Sequence, residues 1–151
     1  MSQTGSQCAA IVVMAAGQGK RMRSTLPKVL HELSGQPLVF HILDKVLEAS
    51  PNSPVAIVVG HGREKVEQAV RSQLRYSALS LDFIHQAEQK GTGHAAQTAL
   101  ASDWGQRQIA SKRAFLVLPG DLPLIQTEMV HSLVQPLARG SAMRLLSTGC
   151  I

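Results

Sequence analysis

The stretch of sequence that decides the fold is AAGQGKRM at residues 15–22, which follows the apolar run AAIVVM at residues 9–14. The apolar run predicts a buried parallel strand, because such strands are covered on both faces and carry hydrophobic residues almost continuously. The small residues after it expose backbone N–H groups that a phosphate can approach closely, and the cations Arg21 and Lys28 would hold that phosphate. The stretch therefore predicts a phosphate-binding loop, against the alternative of an ordinary tight turn beside two solvated cations.

This loop differs from the two common phosphate-binding loops. A Walker loop would need a glycine at the position of Met14, and the dinucleotide-binding fingerprint would need one at the position of Met22. Kinase, ATPase and dehydrogenase functions therefore lose their main support.

Length and composition indicate one globular domain. The chain has 151 residues, of which 44% are hydrophobic and only 3% aromatic, so its core must be mainly aliphatic. No apolar run is long enough to cross a bilayer or resembles a signal peptide. The two cysteines, Cys8 and Cys150, lie at opposite ends of the chain and fit a reducing compartment. We therefore expect a cytoplasmic protein without a membrane partner, and we assign no metal to the cysteines.

The net charge is +5, but the basic residues are massed only at residues 20–28. No aromatic side chains that could stack on bases lie between these cations. A small polyanion such as a nucleoside triphosphate explains this cluster better than a nucleic acid does, so no nucleic-acid partner is expected.

Strand-like and helix-like segments alternate along the chain. This order predicts an α/β fold with a parallel sheet, helices on both faces and ligands at the carboxyl ends of the strands. The predicted strands cover residues 9–14, 55–59, 79–85, 114–118 and 142–146, and the predicted helices cover residues 37–49, 63–74, 94–101 and 127–137.

A carboxylate follows the predicted strand at residues 114–118. Gly120 and Asp121 come directly after this strand, at the sheet edge where the glycine-rich loop is expected. An aspartate there is suited to hold Mg²⁺ beside a triphosphate. The alternative is a turn residue that caps the next helix.

A third polar stretch, QAEQKGTGHA, occupies residues 86–95. The amide of Gln86 carries a hydrogen-bond acceptor and two donor hydrogens, which suit the edge of a base. Gly91 allows the backbone to approach a ligand, and Thr92 is expected to cap a helix that starts near His94. The alternative is a plain glycine-rich start of a helix, and no catalytic role is assigned to His94.

Together these motifs resemble the pyrophosphorylase domain of bacterial bifunctional N-acetylglucosamine-1-phosphate uridyltransferases, in the sugar-nucleotidyltransferase superfamily. The family opening L-A-A-G-x-G-T-R-M-x-S-x-x-P-K-V-L-H matches residues 14–31, with Lys20 in place of threonine. The middle motif is complete at residues 86–95 and points to the uridyltransferase specifically. The motif Y-G-D-V-P-L matches residues 119–124, with Pro119 in place of tyrosine.

The resemblance implies a Rossmann-like three-layer α/β nucleotidyltransferase domain with a mostly parallel sheet at residues 9–151, after a frayed segment at residues 1–8. Its reaction would join UTP and N-acetylglucosamine 1-phosphate into UDP-N-acetylglucosamine, a cell-wall precursor, and release pyrophosphate. The catalytic cations would be Arg21 and Lys28, and Asp121 would bind Mg²⁺. The nucleotide would lie against Met14, Ala15, Ala16, Gly17, Lys28, Gln86, Gly91, Thr92, Gly120 and Asp121.

The resemblance also leaves alternatives open. Domains of this family continue beyond the position of Ile151, where they supply a second metal ligand and most contacts to the sugar, and the β-helix acetyltransferase domain has no counterpart here. The expected fold is therefore incomplete at its C-terminus. The alternatives are a nucleotide-binding fragment or truncated homologue without turnover, or a nucleotidyltransferase for another sugar phosphate. An unpaired sheet edge leaves room for a homo-oligomer.

Overall fold

A four-stranded parallel sheet forms the centre of the computed structural model, which describes residues 8–19, 22–88 and 90–135. The strands lie in the order β5-β4-β1-β6, and each neighbouring pair is parallel. A short antiparallel hairpin, β2 and β3, stands apart from the sheet. The strands are β1 (Ala10–Ala15), β2 (Glu32–Leu33), β3 (Gln36–Pro37), β4 (Pro54–Val59), β5 (Ser80–His85) and β6 (Phe115–Pro119).

Helices cover both faces of this sheet, which gives three layers. The α-helices are α1 (Leu38–Ala49), α2 (Arg63–Arg71), α3 (Thr92–Ala101), α4 (Asp103–Ala110) and α5 (Thr127–Val134), and two 3-10 helices cover Lys28–Leu30 and Leu74–Ala78. Within the described residues, no helix is both long and apolar enough to span a membrane. The predicted α/β fold with helices on both sides of a parallel sheet is confirmed.

The central strand β1 contributes to a hydrophobic core on each side of the sheet. Ile11 and Val13 belong to the core that contains residues of α1, α2 and α5, whereas Val12 belongs to the core that contains residues of α3 and α4. Successive side chains of a strand point to opposite faces, so both faces must be apolar when both are covered. This explains why the sequence of β1 is an unbroken run of apolar residues.

The sequence prediction was wrong in how it extended the second helix. α2 ends at Arg71, and Leu74 belongs to the following 3-10 helix. Leu74 is 87% exposed and does not lie on a buried helix face. The chain turns at Ser72, whose hydroxyl donates to the carbonyl oxygen of Ala69 at 2.8 Å. This turn buries Tyr76 in place of Leu74.

Hydrogen bonds of the buried Tyr76 side chain attach this 3-10 helix to α1. The Tyr76 hydroxyl donates to Asp44 Oδ1 at 2.8 Å, and Asp44 also pairs with Arg75 at 3.1 Å. Burial, followed by the hydrogen bond to the Asp44 carboxylate, raises the pKa of Tyr76. The hydroxyl is therefore a neutral donor in the folded protein.

Two further differences concern the segment between β5 and β6. α3 begins at Thr92 with Gly91 as its N-cap, so the predicted capping role of Thr92 is wrong. The helix α4 was not predicted, although Ser102 caps it by accepting a hydrogen bond from the backbone N–H of Gly105 at 3.2 Å. The predicted strand at residues 142–146 and the end of the predicted helix at residues 136–137 lie outside the described residues.

Candidate functional site

A cleft of about 520 Å³ lies at the carboxyl ends of the strands. The cleft joins the loop after β1, the loop after β5 with the start of α3, and the end of β6. Its volume falls within the usual range of small-molecule sites. The lining residues are Met14, Ala16, Gly17, Gln18, Gly19, Met22, Lys28, Val29, Gln86, Gly91, Thr92, Ala95, Pro119 and Asp121.

The position of this cleft follows from the order of the strands. From β1 the chain crosses to β4 on one side, and β6 later returns to pair with β1 on the other side. Loops after neighbouring strands diverge where the direction of winding reverses, and this leaves a crevice at the carboxyl edge. Three stretches that are distant in sequence meet there, as the sequence predicted.

The loop after β1 contains two glycines, and different structural constraints act at the two positions. Gly19 has a φ of +59°, and a Cβ there would lie 3.0 Å from the Cβ of Lys28, so the fold itself requires glycine. Gly17 lies outside the left-handed region, and a Cβ there would meet no atom within 4 Å. Nothing within the described chain explains a glycine at position 17, which fits a backbone that a ligand approaches.

Contacts of its neighbouring residues fix the backbone of the segment that carries Lys28. Val29 and Leu30 are buried, and the preceding Pro27 packs against Gly62 in the loop after β4. A Cβ at Gly62 would lie 2.6 Å from Pro27 Cγ, and the φ of Gly62 is +69°. The loop after β4 therefore holds the backbone of Lys28 in place while its side chain lines the cleft.

Lys28 and Asp121 form an ion pair in the cleft. The Lys28 Nζ donates to Asp121 Oδ2, and the two side chains are 41% and 33% exposed. The sequence predicted separate roles for these groups, a phosphate contact and a metal ligand. The structure instead pairs them with each other, so a bound polyanion and a bound cation would each have to displace one partner.

Two of the sequence-predicted residues support the cleft without lining it. Ala15 is 1% exposed and belongs to the core beside α1. The Gly120 N–H donates to the carbonyl oxygen of Met14 at 2.9 Å, and a Cβ on Gly120 would lie 2.7 Å from that oxygen. Gly120 therefore allows the ends of β1 and β6 to approach closely and places Asp121 beside Lys28.

Gln86 and the start of α3 form the other end of the cleft. Gln86 is 3% exposed, and its backbone N–H donates to the carbonyl oxygen of Val59 at 2.8 Å. Its side-chain Nε2 lies 2.7 Å from Nδ1 of His94. Gly91, with a φ of +91°, caps α3 without a side-chain hydrogen bond, so the first-turn N–H groups have no cap from that residue.

Two basic residues of the glycine-rich loop, Lys20 and Arg21, lie outside the described residues, so the contact between Arg21 and phosphate stays a prediction. The lining residues that the sequence did not predict to bind nucleotide are Gln18, Gly19, Met22, Val29, Ala95 and Pro119, most of them apolar. In a single sequence, an apolar residue that lines a binding site cannot be distinguished from one that belongs to the hydrophobic core.

The donor set of the cleft fits magnesium only together with a phosphate ligand. Among residues 8–19, 22–88 and 90–135, no three His, Cys, Asp or Glu side chains form a group that could hold a metal by itself. Asp121 supplies one carboxylate to the cleft. Mg²⁺ commonly binds one or two carboxylates and completes its octahedron with water and substrate phosphates, so a single aspartate fits that mode.

Comparisons with known proteins agree on one family. The model of the MobA-like NTP transferase domain matches residues 11–147. The chain is 40% identical over 125 residues to the bifunctional protein GlmU of Legionella pneumophila, covering 83% of this chain and 24% of that protein. It is 44% identical over 130 residues to GlmU of Burkholderia lata, covering 86% and 26%. The chain thus spans about a quarter of the length of these relatives, and the resemblance drawn from the motifs is confirmed.

Solved structures share the fold at low sequence identity. A UDP-glucose pyrophosphorylase complexed with UDP-glucose superimposes with a TM-score of 0.61 at 20% identity, over 84% of this chain and 53% of that chain. A CMP:2-keto-3-deoxy-manno-octonic acid synthetase complexed with CTP gives a TM-score of 0.55 at 24% identity, over 84% and 46%. The expected Rossmann-like nucleotidyltransferase fold is confirmed by these neighbours.

Proposed function

The chain belongs to the family of MobA-like NTP transferase domains, and from that premise we propose that its cleft binds UTP for uridylyl transfer to N-acetylglucosamine 1-phosphate. The observation that carries the proposal is the meeting of Gly17, Lys28 and Gln86 around one cleft of about 520 Å³. These residues supply a close backbone, a cation and a base-reading amide. The relatives named GlmU, at about 40% identity, support this choice of nucleotide and sugar.

The end of the cleft at Gln86 suits the base. Uracil presents one ring N–H donor between two carbonyl acceptors. The Gln86 amide can accept from such an N–H and donate to a neighbouring carbonyl. The first-turn N–H groups of α3, beyond the glycine N-cap Gly91, are further donors for a carbonyl oxygen. The cleft therefore offers the complement of the uracil edge.

The other end suits the phosphates. The loop at residues 16–19 borders the cleft with backbone that carries little side chain, and Lys28 supplies positive charge from the same side. Backbone N–H groups and a lysine are the usual elements of a triphosphate cradle. Arg21 is proposed to add a second charge, on the strength of its place in the motif.

Asp121 is proposed as the ligand of Mg²⁺ brought by the triphosphate. A magnesium ion held by Asp121 would neutralise part of the charge of the phosphates. For this chain the consequence is an exchange of partners, since Lys28 leaves the Asp121 carboxylate and turns to phosphate. The ion pair keeps both groups in the cleft until the ligand arrives.

The chemistry then needs alignment and charge neutralisation, with no protein nucleophile. A phosphate oxygen of the sugar phosphate attacks the α-phosphorus in line, forming one P–O bond. The bond between the α-phosphorus and the bridging oxygen breaks, and pyrophosphate leaves with that electron pair. Lys28 stabilises the charge that is spread over the phosphates during transfer.

A binding and turnover experiment tests the proposal. Purified protein is titrated with UTP, CTP, ATP and GTP in the presence of Mg²⁺, and pyrophosphate release is then measured with UTP and N-acetylglucosamine 1-phosphate. We expect preferential binding of UTP and pyrophosphate release that depends on this sugar phosphate. Equal binding of all four nucleotides would contradict the proposal. Turnover only with another sugar phosphate would move the chain to another nucleotidyltransferase, and UTP binding without pyrophosphate would make it a binding module.

Asp121→Asn should have opposite effects on UTP affinity with and without magnesium. In Mg²⁺ the variant should bind UTP more weakly than wild type, because a carboxylate ligand is lost. In EDTA it should bind about two- to fivefold more tightly. In the wild type, UTP must first separate Lys28 from Asp121, and breaking such a half-exposed ion pair costs up to about 1 kcal/mol. The variant has no ion pair to break. Isothermal titration in both buffers measures the two affinities.

Asp82→Asn is the matched control for this prediction. Asp82 lies on β5, 3.9 Å from Arg107, and does not line the cleft. Its replacement should leave UTP affinity unchanged in both buffers. If Asp121→Asn kept the magnesium dependence of the wild type, Asp121 would be a turn residue and not a metal ligand.

A further inference from the structure

The side chains of Gln86 and His94 form a contact that the proposed function does not use. Gln86 Nε2 lies 2.7 Å from His94 Nδ1. Backbone hydrogen bonds anchor both residues, with the Gln86 N–H bound to Val59 and the His94 carbonyl oxygen accepting from the Thr98 hydroxyl at 2.8 Å. The contact therefore joins two fixed points, the end of β5 and the first turn of α3.

The atom of the Gln86 amide that faces His94 sets the direction of this hydrogen bond. In the structure that atom is Nε2, which can only donate, so Nδ1 of His94 accepts in this arrangement and a neutral imidazole carries its proton on Nε2. One of the two Nε2 hydrogens of Gln86 is thereby committed to His94. The carbonyl oxygen Oε1 and the second Nε2 hydrogen are left for a ligand in the cleft that Gln86 lines.

We propose that His94 is a positioning residue that fixes the orientation of the Gln86 amide, and thereby selects bases with a ring N–H over bases with a ring-nitrogen acceptor. The inference rests on the proposed function, in which Gln86 reads the base. In this role His94 determines which atom of the Gln86 amide accepts a hydrogen bond from the ligand.

The selection follows from the donor and acceptor patterns of the bases. Uracil N3 carries a hydrogen and can donate to Oε1, whereas cytosine N3 is an acceptor and would face Oε1 with a lone pair. A Gln86 amide that could rotate by half a turn would serve both bases, because rotation exchanges its donor and acceptor ends. While the imidazole carries its proton on Nε2, the Nδ1 of His94 opposes that rotation, since the turned amide would place Oε1 against another acceptor. A polar site that is held in one orientation rejects the wrong ligand by leaving buried groups unpaired.

The test compares His94→Phe with His94→Asp. Phenylalanine retains an aromatic ring but has no acceptor, whereas a carboxylate oxygen of aspartate can accept near the position of Nδ1 and cannot donate. UTP and CTP are titrated into wild type and both variants in Mg²⁺. The UTP preference over CTP should fall roughly tenfold in His94→Phe, the scale of one well-made base contact, and should persist in His94→Asp.

A second measurement uses only the wild-type protein. Two-bond ¹H–¹⁵N correlation spectra of the histidine rings should show His94 as the tautomer protonated at Nε2. A ring protonated at Nδ1 would overturn the inference, because Nδ1 could then not accept from the Gln86 amide.

The outcomes separate this inference from the proposed function. If wild type prefers UTP and His94→Phe binds UTP with the same preference, the positioning role is wrong and the proposed function stands. If wild type does not distinguish UTP from CTP, both are wrong. A loss of preference in His94→Phe that His94→Asp does not share supports the inference, whereas an equal loss in both variants contradicts it.

Discussion

Replacing Lys28 with alanine is expected to weaken UTP binding by about 10- to 150-fold, which corresponds to about 1.5–3 kcal/mol for a charge-assisted contact. Lys28 lines the cleft beside the loop after β1, and Pro27 and Val29 hold its backbone against the body of the protein. The ammonium group is therefore already in place when a triphosphate arrives. Isothermal titration with UTP in Mg²⁺ measures the loss.

The matched control for this prediction is Lys45→Ala. Lys45 is also ion-paired, with Glu48 at 3.1 Å, but it lies on α1 and does not line the cleft. Its removal should leave UTP affinity unchanged. If the two alanine variants bound UTP equally well, Lys28 would be a solvated cation and the phosphate-binding loop would lose its main support.

Gly17→Ala is expected to weaken UTP binding at least about fivefold without destabilising the fold. An added Cβ at this position has no neighbour within 4 Å and needs no positive φ. Exchange of glycine for alanine at such a position usually raises stability by about 0.4–1 kcal/mol, because the unfolded chain loses freedom. A phosphate held against the backbone would collide with the new methyl group, and forced contacts of this kind cost about 1–3 kcal/mol.

Thermal unfolding of Gly17→Ala is the control that separates ligand contact from loss of structure. The variant should be at least as stable as wild type and still bind UTP more weakly. UTP affinity equal to that of wild type would mean that no ligand approaches the backbone at Gly17.

The main strands could be predicted from the sequence because burial on both faces leaves a continuous apolar run. The run at residues 9–14 corresponds to β1 at Ala10–Ala15, and the run at residues 55–59 lies within β4 at Pro54–Val59. The helix α4 escaped prediction because its eight residues give too little periodicity to stand out. Leu74 was placed on a buried face because local periodicity does not reveal where tertiary contacts end a helix.

The parts of the site could be predicted one at a time, whereas the contacts between them could not. Gln86, Lys28 and Asp121 each follow a local motif, and the rule that ligands gather at strand ends brings them to one edge. The pairing of Lys28 with Asp121 depends on β6 lying next to β1, and a single sequence does not reveal that order. The contact between Gln86 and His94 depends on where α3 starts, which the sequence misplaced by two residues because Gly91, not Thr92, is the N-cap.

Hydrogen–deuterium exchange in the presence and absence of UTP and Mg²⁺ tests most directly that the three stretches form one nucleotide site. Saturating UTP should slow exchange in the loop at residues 16–19 and in the first turn of α3, since backbone N–H groups there would bond the ligand. Exchange in the 3-10 helix Leu74–Ala78, none of whose residues lines the cleft, should not change. Protection confined to other segments, or no protection at saturating UTP, would contradict the account.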